Sequence, residues 1–210
     1  MINYKKSTPG FILSSLVGLI GLTAPAMLCA EPADISISTG AAIGLLEYQD
    51  DRGENVSAAF GCVPLGVNWY RGVGKRTSVL ANLGTLLDVR NSQLVRQGVA
   101  GGFAYHILGT SRRYEQSGKD AGYVILSDSD LSVVIYGGMQ NIAASNRDNT
   151  KSQVSGSVLE AALGLSYRQD FGRSSAFTAE WKTTLFTIPA SVSRIRMASS
   201  EILFGWRFFV

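Results

Sequence analysis

Residues 201–210 read EILFGWRFFV, and this stretch decides the fold. Apolar and aromatic side chains occupy its even positions from Ile202 to Val210, whereas Gly205 and Arg207 fall on odd positions. Because side chains of a β-strand point alternately to opposite faces, this strand has one wholly apolar face. An apolar strand left in water templates aggregation. The stretch therefore predicts that another strand of the chain closes over it, or that lipid covers its outward face.

The same alternation of side chains recurs along the chain. Gly and β-branched residues dominate the first of these stretches, which argues against an amphipathic helix. Each stretch is long enough for the roughly 9–11 residues of a tilted membrane strand. The alternating stretches lie at about 35–45, 56–71, 78–89, 99–107, 131–140, 159–168, 177–185 and 201–210. The sequence therefore predicts eight strands.

The two faces of these strands differ in side-chain size. One face is continuous in Val, Leu, Ile and aromatic residues, and the other is rich in Gly, Ala and Ser with isolated charges. An eight-stranded barrel has an interior just wide enough for side chains to fill, so small residues suit its lumen and bulky ones suit lipid. Closure also satisfies every backbone hydrogen bond within the bilayer. We therefore predict an all-β fold: a closed, antiparallel, eight-stranded, transmembrane up-and-down β-barrel. A soluble lipocalin-type barrel, with the apolar face inside, is the alternative.

Aromatic residues of the predicted lipid face cluster near the strand ends on the side of both termini. Rings at such positions form the girdles that anchor barrels at the membrane interface. The predicted girdle consists of Trp69, Tyr105, Tyr167, Phe177 and Phe208.

The pattern of residues 31–210 resembles that of the small OmpA- and OmpX-type barrels of the bacterial outer membrane. Residues 201–210 resemble the closing strand of such barrels, although they end in Phe208-Phe209-Val210 rather than in an aromatic residue. The resemblance implies location in the outer membrane, contact with outer-membrane lipid, and recognition of the C-terminal strand by the barrel-assembly machinery. The glycines scatter along strands and open no phosphate-binding loop, so no cofactor is expected.

The N-terminal 30 residues have the three-part pattern of a secretory signal peptide. Lys5 and Lys6 precede an apolar run over 11–22, and Pro25 and small residues lead to a cleavage site after Ala30. A retained membrane anchor is the alternative, since the apolar run read generously approaches the roughly 20 residues of a spanning helix. The predicted domains are thus a signal peptide at 1–30 and an outer-membrane β-barrel domain at 31–210.

Removal of this segment changes the charge and cysteine content of the chain. Of the 19 Lys and Arg residues, 17 remain against all 16 Asp and Glu residues, which gives a net charge of about +1. Such a balance argues against a nucleic-acid partner. Only Cys62 is left, so an intrachain disulfide is excluded.

Four charged residues are predicted to point into the lumen from neighbouring strands: Glu160, Glu180, Lys182 and Arg207. Isolated charges in a narrow lumen cost several kcal/mol unless they are paired. We therefore expect them to pair across adjacent strands, with Arg207 beside Glu180 and Glu160, and to plug the barrel. A catalytic carboxylate or an ion path is the functional alternative.

His106 is the only histidine and lies near a predicted periplasmic strand end. A lipid-modifying hydrolase needs His, Ser and an acid within hydrogen-bonding reach. The acid is not evident from the sequence, and no serine stands two residues from His106 on its face. We therefore assign no catalytic residue, and a lone histidine with a lone cysteine predicts no metal site.

The predicted connections bear on the role of the barrel. The extracellular turns at 49–55, 90–92 and 144–152 are short, whereas adhesion and receptor binding usually depend on long loops. The long segment 109–130 falls on the periplasmic side, where turns are usually short. It either contacts a periplasmic partner, or the number of strands predicted for this part of the chain is incorrect. The sequence predicts a structural or interaction role, with a lipid-modifying enzyme or a narrow, porin-like pore as alternatives.

Overall fold

The structure is a computed structural model. It describes residues 33–49, 53–74, 76–88, 94–111, 113–117, 120–124, 128–146, 149–172, 174–190 and 194–209. The predicted signal peptide at 1–30 lies outside these ranges.

The described chain forms ten strands, of which eight make a closed antiparallel barrel. The strands are β1 (Asp34–Gln49), β2 (Asn55–Gly74), β3 (Thr77–Asp88), β4 (Leu94–Leu108), β5 (Arg113–Ser117), β6 (Asp120–Val124), β7 (Ser129–Asn146), β8 (Asn149–Phe171), β9 (Ser175–Pro189) and β10 (Arg196–Phe209). Around the ring the order is β1-β2-β3-β4-β7-β8-β9-β10, and β10 pairs with β1. The predicted closed, eight-stranded up-and-down barrel is confirmed. Within the described ranges, no helix is long and apolar enough to cross a membrane.

Strand β10 closes the barrel. Its register places Phe208 opposite Ile35 of β1, and Trp206 opposite Phe177 of β9. Both edges of this apolar strand are therefore paired, and neither is open to another chain.

The two faces of each barrel strand separate as the alternation predicts. Along β1, Ile37 and Ile43 are 59% and 68% exposed, while Ser38 and Ala42 between them are buried. Among the described side chains, exposed apolar residues recur on the outer face of all barrel strands except β3. The outward residues of β3 are half-buried. Bulky apolar residues thus cover the outer face, whereas the lumen holds small and polar residues together with two buried apolar clusters.

The lumen is filled in layers. We call the end where β1 begins and β10 ends the terminus end, and the opposite one the far end. An apolar cluster fills the far end. A second apolar cluster, which includes Leu80, Ala104 and Val134, lies towards the terminus end, and charged side chains occupy the space between the clusters and beyond the second one. The far-end cluster consists of Ala42, Leu46, Tyr48, Cys62, Leu86, Ile142, Val158, Ile195 and Met197.

Two connections differ from simple turns. The segment 109–130 contains the hairpin of β5 and β6, which pair with each other and stay outside the barrel sheet. The polar stretch 144–152, predicted as a turn, is mostly strand, since β7 ends at Asn146 and β8 begins at Asn149. Polar residues pair here because the neighbouring strand supplies backbone partners.

Candidate functional site in the barrel lumen

Arg96 of β4 is the central residue among the charged side chains that lie between the two apolar clusters. Its Nη2 atom donates to Glu201 Oε1 at 2.6 Å, and its Nη1 atom donates to Glu160 Oε1 at 3.3 Å. Around the ring, β10 is four strands from β4 in either direction, so the contact with Glu201 crosses the whole lumen. All three side chains are buried, which makes these contacts ion pairs in a water-poor environment.

Hydroxyl groups add a hydrogen bond to each of the two carboxylates. Thr184 Oγ1 donates to Glu160 Oε1 at 2.8 Å, and Ser199 Oγ donates to Glu201 Oε1 at 3.2 Å. Buried ion pairs depend on such further hydrogen bonds, and here each hydroxyl reaches the same carboxylate oxygen that Arg96 contacts.

Glu180 and Lys182 lie next to this cluster but have different partners. Tyr136 donates its hydroxyl to Glu180 Oε1 at 2.5 Å. Lys182 Nζ lies 5.1 Å from the centre of the Tyr136 ring, within the range of a cation–π contact. A cavity of about 20 Å³ is lined by Tyr136, Glu180, Lys182, Arg96 and Glu201 together with small residues. That volume holds about one water molecule.

Arg207 makes its direct contacts with two other residues. Its guanidinium carbon is 3.7 Å from the centre of the Tyr70 ring, and its Nη1 atom is 3.9 Å from Asp34 Oδ2. The sequence predicts Arg207 beside Glu180 and Glu160, but register explains the different outcome. Leu203 is the β10 residue opposite Glu180. Arg207 is four positions further along the strand, which corresponds to about 13 Å.

A second polar cluster lies at the terminus end and joins three consecutive barrel strands. Ser78 Oγ of β3 is 2.8 Å from His106 Nε2 of β4, and His106 Nδ1 is 2.7 Å from Asp130 Oδ1 of β7. The three residues are 6%, 3% and 4% exposed. The serine and the acid come from the strands on either side of His106. Alternation along the strand of His106 therefore does not predict this arrangement.

The register of the sheet brings these three residues together. Ser78 is opposite Ala104, and Ser132 is opposite His106. Ser78 and Asp130 are therefore each two positions from direct opposition to His106, and such diagonal neighbours are within reach of long side chains. The sequence predicts Asp130 in a loop, but it is the second residue of β7.

Residues 109–111 cross the mouth of the lumen at the terminus end. Gly109 has a φ of 83°, a left-handed conformation that glycine adopts without strain and that redirects the chain after β4. Thr110 accepts a hydrogen bond through its carbonyl from Arg168 of β8 at 3.4 Å, and Ser111 donates to the carbonyl of Gly74 of β2. Since β8 and β2 lie on opposite sides of the ring, the Arg168 side chain and residues 110–111 together connect the two sides of the opening.

The five predicted girdle residues lie on the outer face towards the terminus end. Phe208 and Trp69 are both register partners of Ile35 and so lie at one level, and Tyr105 and Tyr167 are exposed. Further rings join them on this face. Phe171 stacks on Trp206 with 5.5 Å between ring centres, and Phe177 stacks on Phe204 at 6.3 Å.

Sequence reasoning missed several lumen residues. Arg96 lies three positions before the predicted start of its strand at residue 99, so the predicted alternation does not include it. Glu201 has the parity of Arg207, and this signal was sufficient to place it inside. Within the described ranges, no group of three or more His, Cys, Asp or Glu side chains is placed to hold a metal ion.

A closed eight-stranded up-and-down ring with an apolar outer surface is the architecture of the small outer-membrane β-barrels. The structure is similar to that of Neisserial surface protein A, with 8% identity, a TM-score of 0.51, and coverage of 85% of this chain and 99% of that protein. It is also similar to the N-terminal β-barrel domain of Pseudomonas aeruginosa OprF, with 15% identity, a TM-score of 0.48, and coverage of 83% and 97%. No family model matches the sequence. No curated protein matches it either.

Proposed function

We propose that this chain is an integral barrel of the bacterial outer membrane with a narrow lumen that its own side chains close, and that its role in the envelope is structural or interactive. The contact of Arg96 with Glu201 carries the proposal, because it ties together two strands on opposite sides of the ring. A lumen crossed by such a contact at its middle leaves no continuous path for solutes.

Two further features support closure of the lumen. The apolar cluster at the far end includes Leu86, Ile142 and Val158, which are almost completely buried. The cavity beside Arg96 accommodates about one water molecule. An ion path needs a continuous file of water or polar ligands, so the apolar layer disfavours the narrow, porin-like pore.

The outer surface supports the location in lipid. Exposed large apolar side chains are distributed around the ring on β1, β2, β4, β7, β8, β9 and β10. An apolar surface of this extent is unstable in water, and lipid is the cover that a closed barrel with no free edge requires. The protein contacts outer-membrane lipid through this surface, and its C-terminal strand is the element that the assembly machinery recognises.

The terminus end supports an interaction on the periplasmic side. The segment between β4 and β7 is the longest connection of the barrel and carries the β5–β6 hairpin, whereas β7 and β8 at the far end are separated by two residues. Since both termini of an even-stranded outer-membrane barrel lie in the periplasm, residues 109–130 are positioned for a periplasmic partner.

Planar-bilayer recording tests the closed lumen. The purified barrel should insert without stable conductance. A variant with Arg96→Ser, Glu160→Ser and Leu86→Ser removes the central cation, one of its carboxylates and an apolar side chain, and should open measurable current. Heat-modifiable migration on gels serves as the folding control for both proteins. A large, steady conductance of the unaltered barrel contradicts the proposal.

Replacement of residues 113–124 by a short Gly-Ser linker tests the periplasmic role. These residues contribute no strand to the barrel, so the variant should keep its heat-modifiable migration. Site-specific photo-cross-linking from position 118 of the unaltered chain in cells should give an adduct with a periplasmic protein. Cross-links to lipid or to the barrel alone would rule out a partner at this segment.

A further inference from the structure

We infer that Ser78, His106 and Asp130 form a serine-hydrolase site at the terminus end of the lumen, which cleaves carboxylic esters of short acyl chains. This inference goes beyond the structural role and does not depend on the closure of the middle of the lumen. It rests on the order of the three groups, on their position below the mouth, and on the apolar wall beside the serine.

The order of the hydrogen bonds is that of a nucleophile, a base and an orienting acid. Asp130 Oδ1 lies 2.7 Å from His106 Nδ1, so the carboxylate holds the proton on that nitrogen. The lone pair of Nε2 then faces the Ser78 hydroxyl at 2.8 Å. A serine is a weak nucleophile until a base within hydrogen-bonding reach accepts its proton, and this arrangement supplies the base.

Ser78 lies near the rim of the barrel at the terminus end. It is the second residue of β3, directly inside the rim of the barrel. Its register partner on β2 is Gly72, which has no side chain to fill the space beside the hydroxyl. A substrate that enters at the terminus end has to displace residues 109–111. It reaches Ser78 without passing the ion pairs of Arg96 with Glu160 and Glu201.

The wall beside the serine is apolar, which indicates the substrate class. Leu80 is the next inward residue of β3, Ala104 is opposite Ser78, and Val134 belongs to the same buried cluster. These side chains offer an acyl chain a dry surface, whereas the ester carbonyl stays next to Ser78 and His106. Tyr136 is the next inward residue of β7 after Val134 and belongs to the same buried cluster, so the apolar wall ends about one residue pair deeper and suits an acyl group of a few carbons.

The reaction proceeds by acyl transfer to serine and then to water. Ser78 Oγ attacks the ester carbonyl carbon while its proton passes to His106 Nε2. The bond from this carbon to the alkoxy oxygen then breaks, and the leaving alcohol takes the proton from Nε2. Water attacks the acyl-serine with His106 as base, the Oγ–acyl bond breaks, and Ser78 regains its proton as the carboxylic acid leaves.

Labelling with diisopropyl fluorophosphate tests the site in the full-length barrel in lipid vesicles. We expect a single phosphoryl adduct that mass spectrometry localises to Ser78, together with loss of p-nitrophenyl butyrate hydrolysis in proportion to labelling. His106→Gln and Asp130→Asn should each slow labelling by about 10²- to 10⁴-fold, the usual contribution of acid–base catalysis. Ser36→Ala is the matched control, because Ser36 is a buried lumen serine that accepts a hydrogen bond from Asn68 rather than facing a histidine. It should label at the unaltered rate.

Two results would overturn the inference. One is the absence of an adduct on Ser78 in folded, unaltered barrel when a known serine hydrolase in the same vesicles is labelled. The other is labelling of folded His106→Gln at the unaltered rate, because the hydrogen bond would then have only a structural role. Heat-modifiable migration identifies the folded fraction of each variant. The result for the unaltered barrel decides the question even if a variant fails to fold.

Discussion

Arg96 Nη2 lies 2.6 Å from Glu201 Oε1, and the two residues belong to strands on opposite sides of the barrel. Glu160 shares the same guanidinium from β8, so one cation joins three strands. In a barrel the backbone ladders connect only neighbouring strands. A side-chain contact across the lumen adds a constraint on the cross-section that the ladders alone do not provide.

Removal of this cation should destabilise the barrel strongly. Arg96→Met leaves Glu160 and Glu201 buried without their partner, and breaking a buried pair in this way costs about 3–5 kcal/mol, or less where water enters. Urea unfolding in lipid vesicles, followed by gel migration, measures the free energy of unfolding. Arg196→Met on the exposed face of β10 is the control and should have little effect.

The rescue of this variant is the sharper measurement. Glu201→Gln added to Arg96→Met removes an uncompensated charge and should restore part of the lost stability. Simple additivity of the two losses would mean that the residues do not interact. The cross-lumen contact would then have no energetic role.

Arg207 should couple to Tyr70 and not to Glu160. Its guanidinium lies over the Tyr70 ring at 3.7 Å, and a desolvated cation–π contact contributes about 2 kcal/mol. A double-mutant cycle of Arg207→Met with Tyr70→Leu should show an interaction energy of that order. The cycle with Glu160→Gln should be additive within about 0.5 kcal/mol. Coupling to Glu160 alone would support the pairing predicted from sequence instead.

The difference between Arg207 and Glu201 shows how far alternation can be used. Parity along a strand tells which side chains face the lumen, because the period of two is a local property of the backbone. The depth at which two inward residues meet depends on register between strands, and alternation contains no register. Alternation therefore predicts the barrel and the inward face of each predicted strand, but not the partner of any one charge.

The cluster of Ser78, His106 and Asp130 has the same explanation. Each residue comes from a different strand, and the diagonal offset of two positions arises only once β3, β4 and β7 are aligned. Sequence separation also conceals it, since the β5–β6 hairpin lies between His106 and Asp130. Asp130 becomes the partner of His106 only because β4 pairs with β7 across this insertion.

Arginine on the outer face should be tolerated according to depth. Met139 is half exposed near the middle of β7, where its register partner on β8 is Leu159. Tyr167 of the girdle is eight positions further along β8, towards the terminus end. Met139→Arg should cost about 2–4 kcal/mol in vesicles, as expected near the bilayer midplane, whereas Tyr167→Arg should cost about 0–1 kcal/mol. Equal losses of unfolding free energy at the two positions would contradict a membrane that is centred on this part of the barrel.

Gly137 and Gly138 of β7 are neighbours that face opposite ways, and they should respond differently to a methyl group. A Cβ at Gly138 would lie 2.6 Å from the Cα and 2.7 Å from the Cβ of Ala100 on β4, so the backbones have to move apart. Overpacking of this kind typically costs about 1–3 kcal/mol. A Cβ at Gly137 would meet nothing within 4 Å.

Gly138→Ala should therefore lower the free energy of unfolding by about 1–3 kcal/mol in the urea assay. Gly137→Ala should leave it unchanged or raise it by about 0.4–1 kcal/mol, because alanine restricts the unfolded chain and fits an extended backbone. Both variants exchange glycine for alanine in the same strand, so the change in strand propensity is the same. A difference between their free energies of unfolding therefore measures the close approach of β7 and β4 inside the lumen. If both variants lost stability equally, the cost would lie in the strand itself, and the tight packing of the lumen at Ala100 would not be its cause.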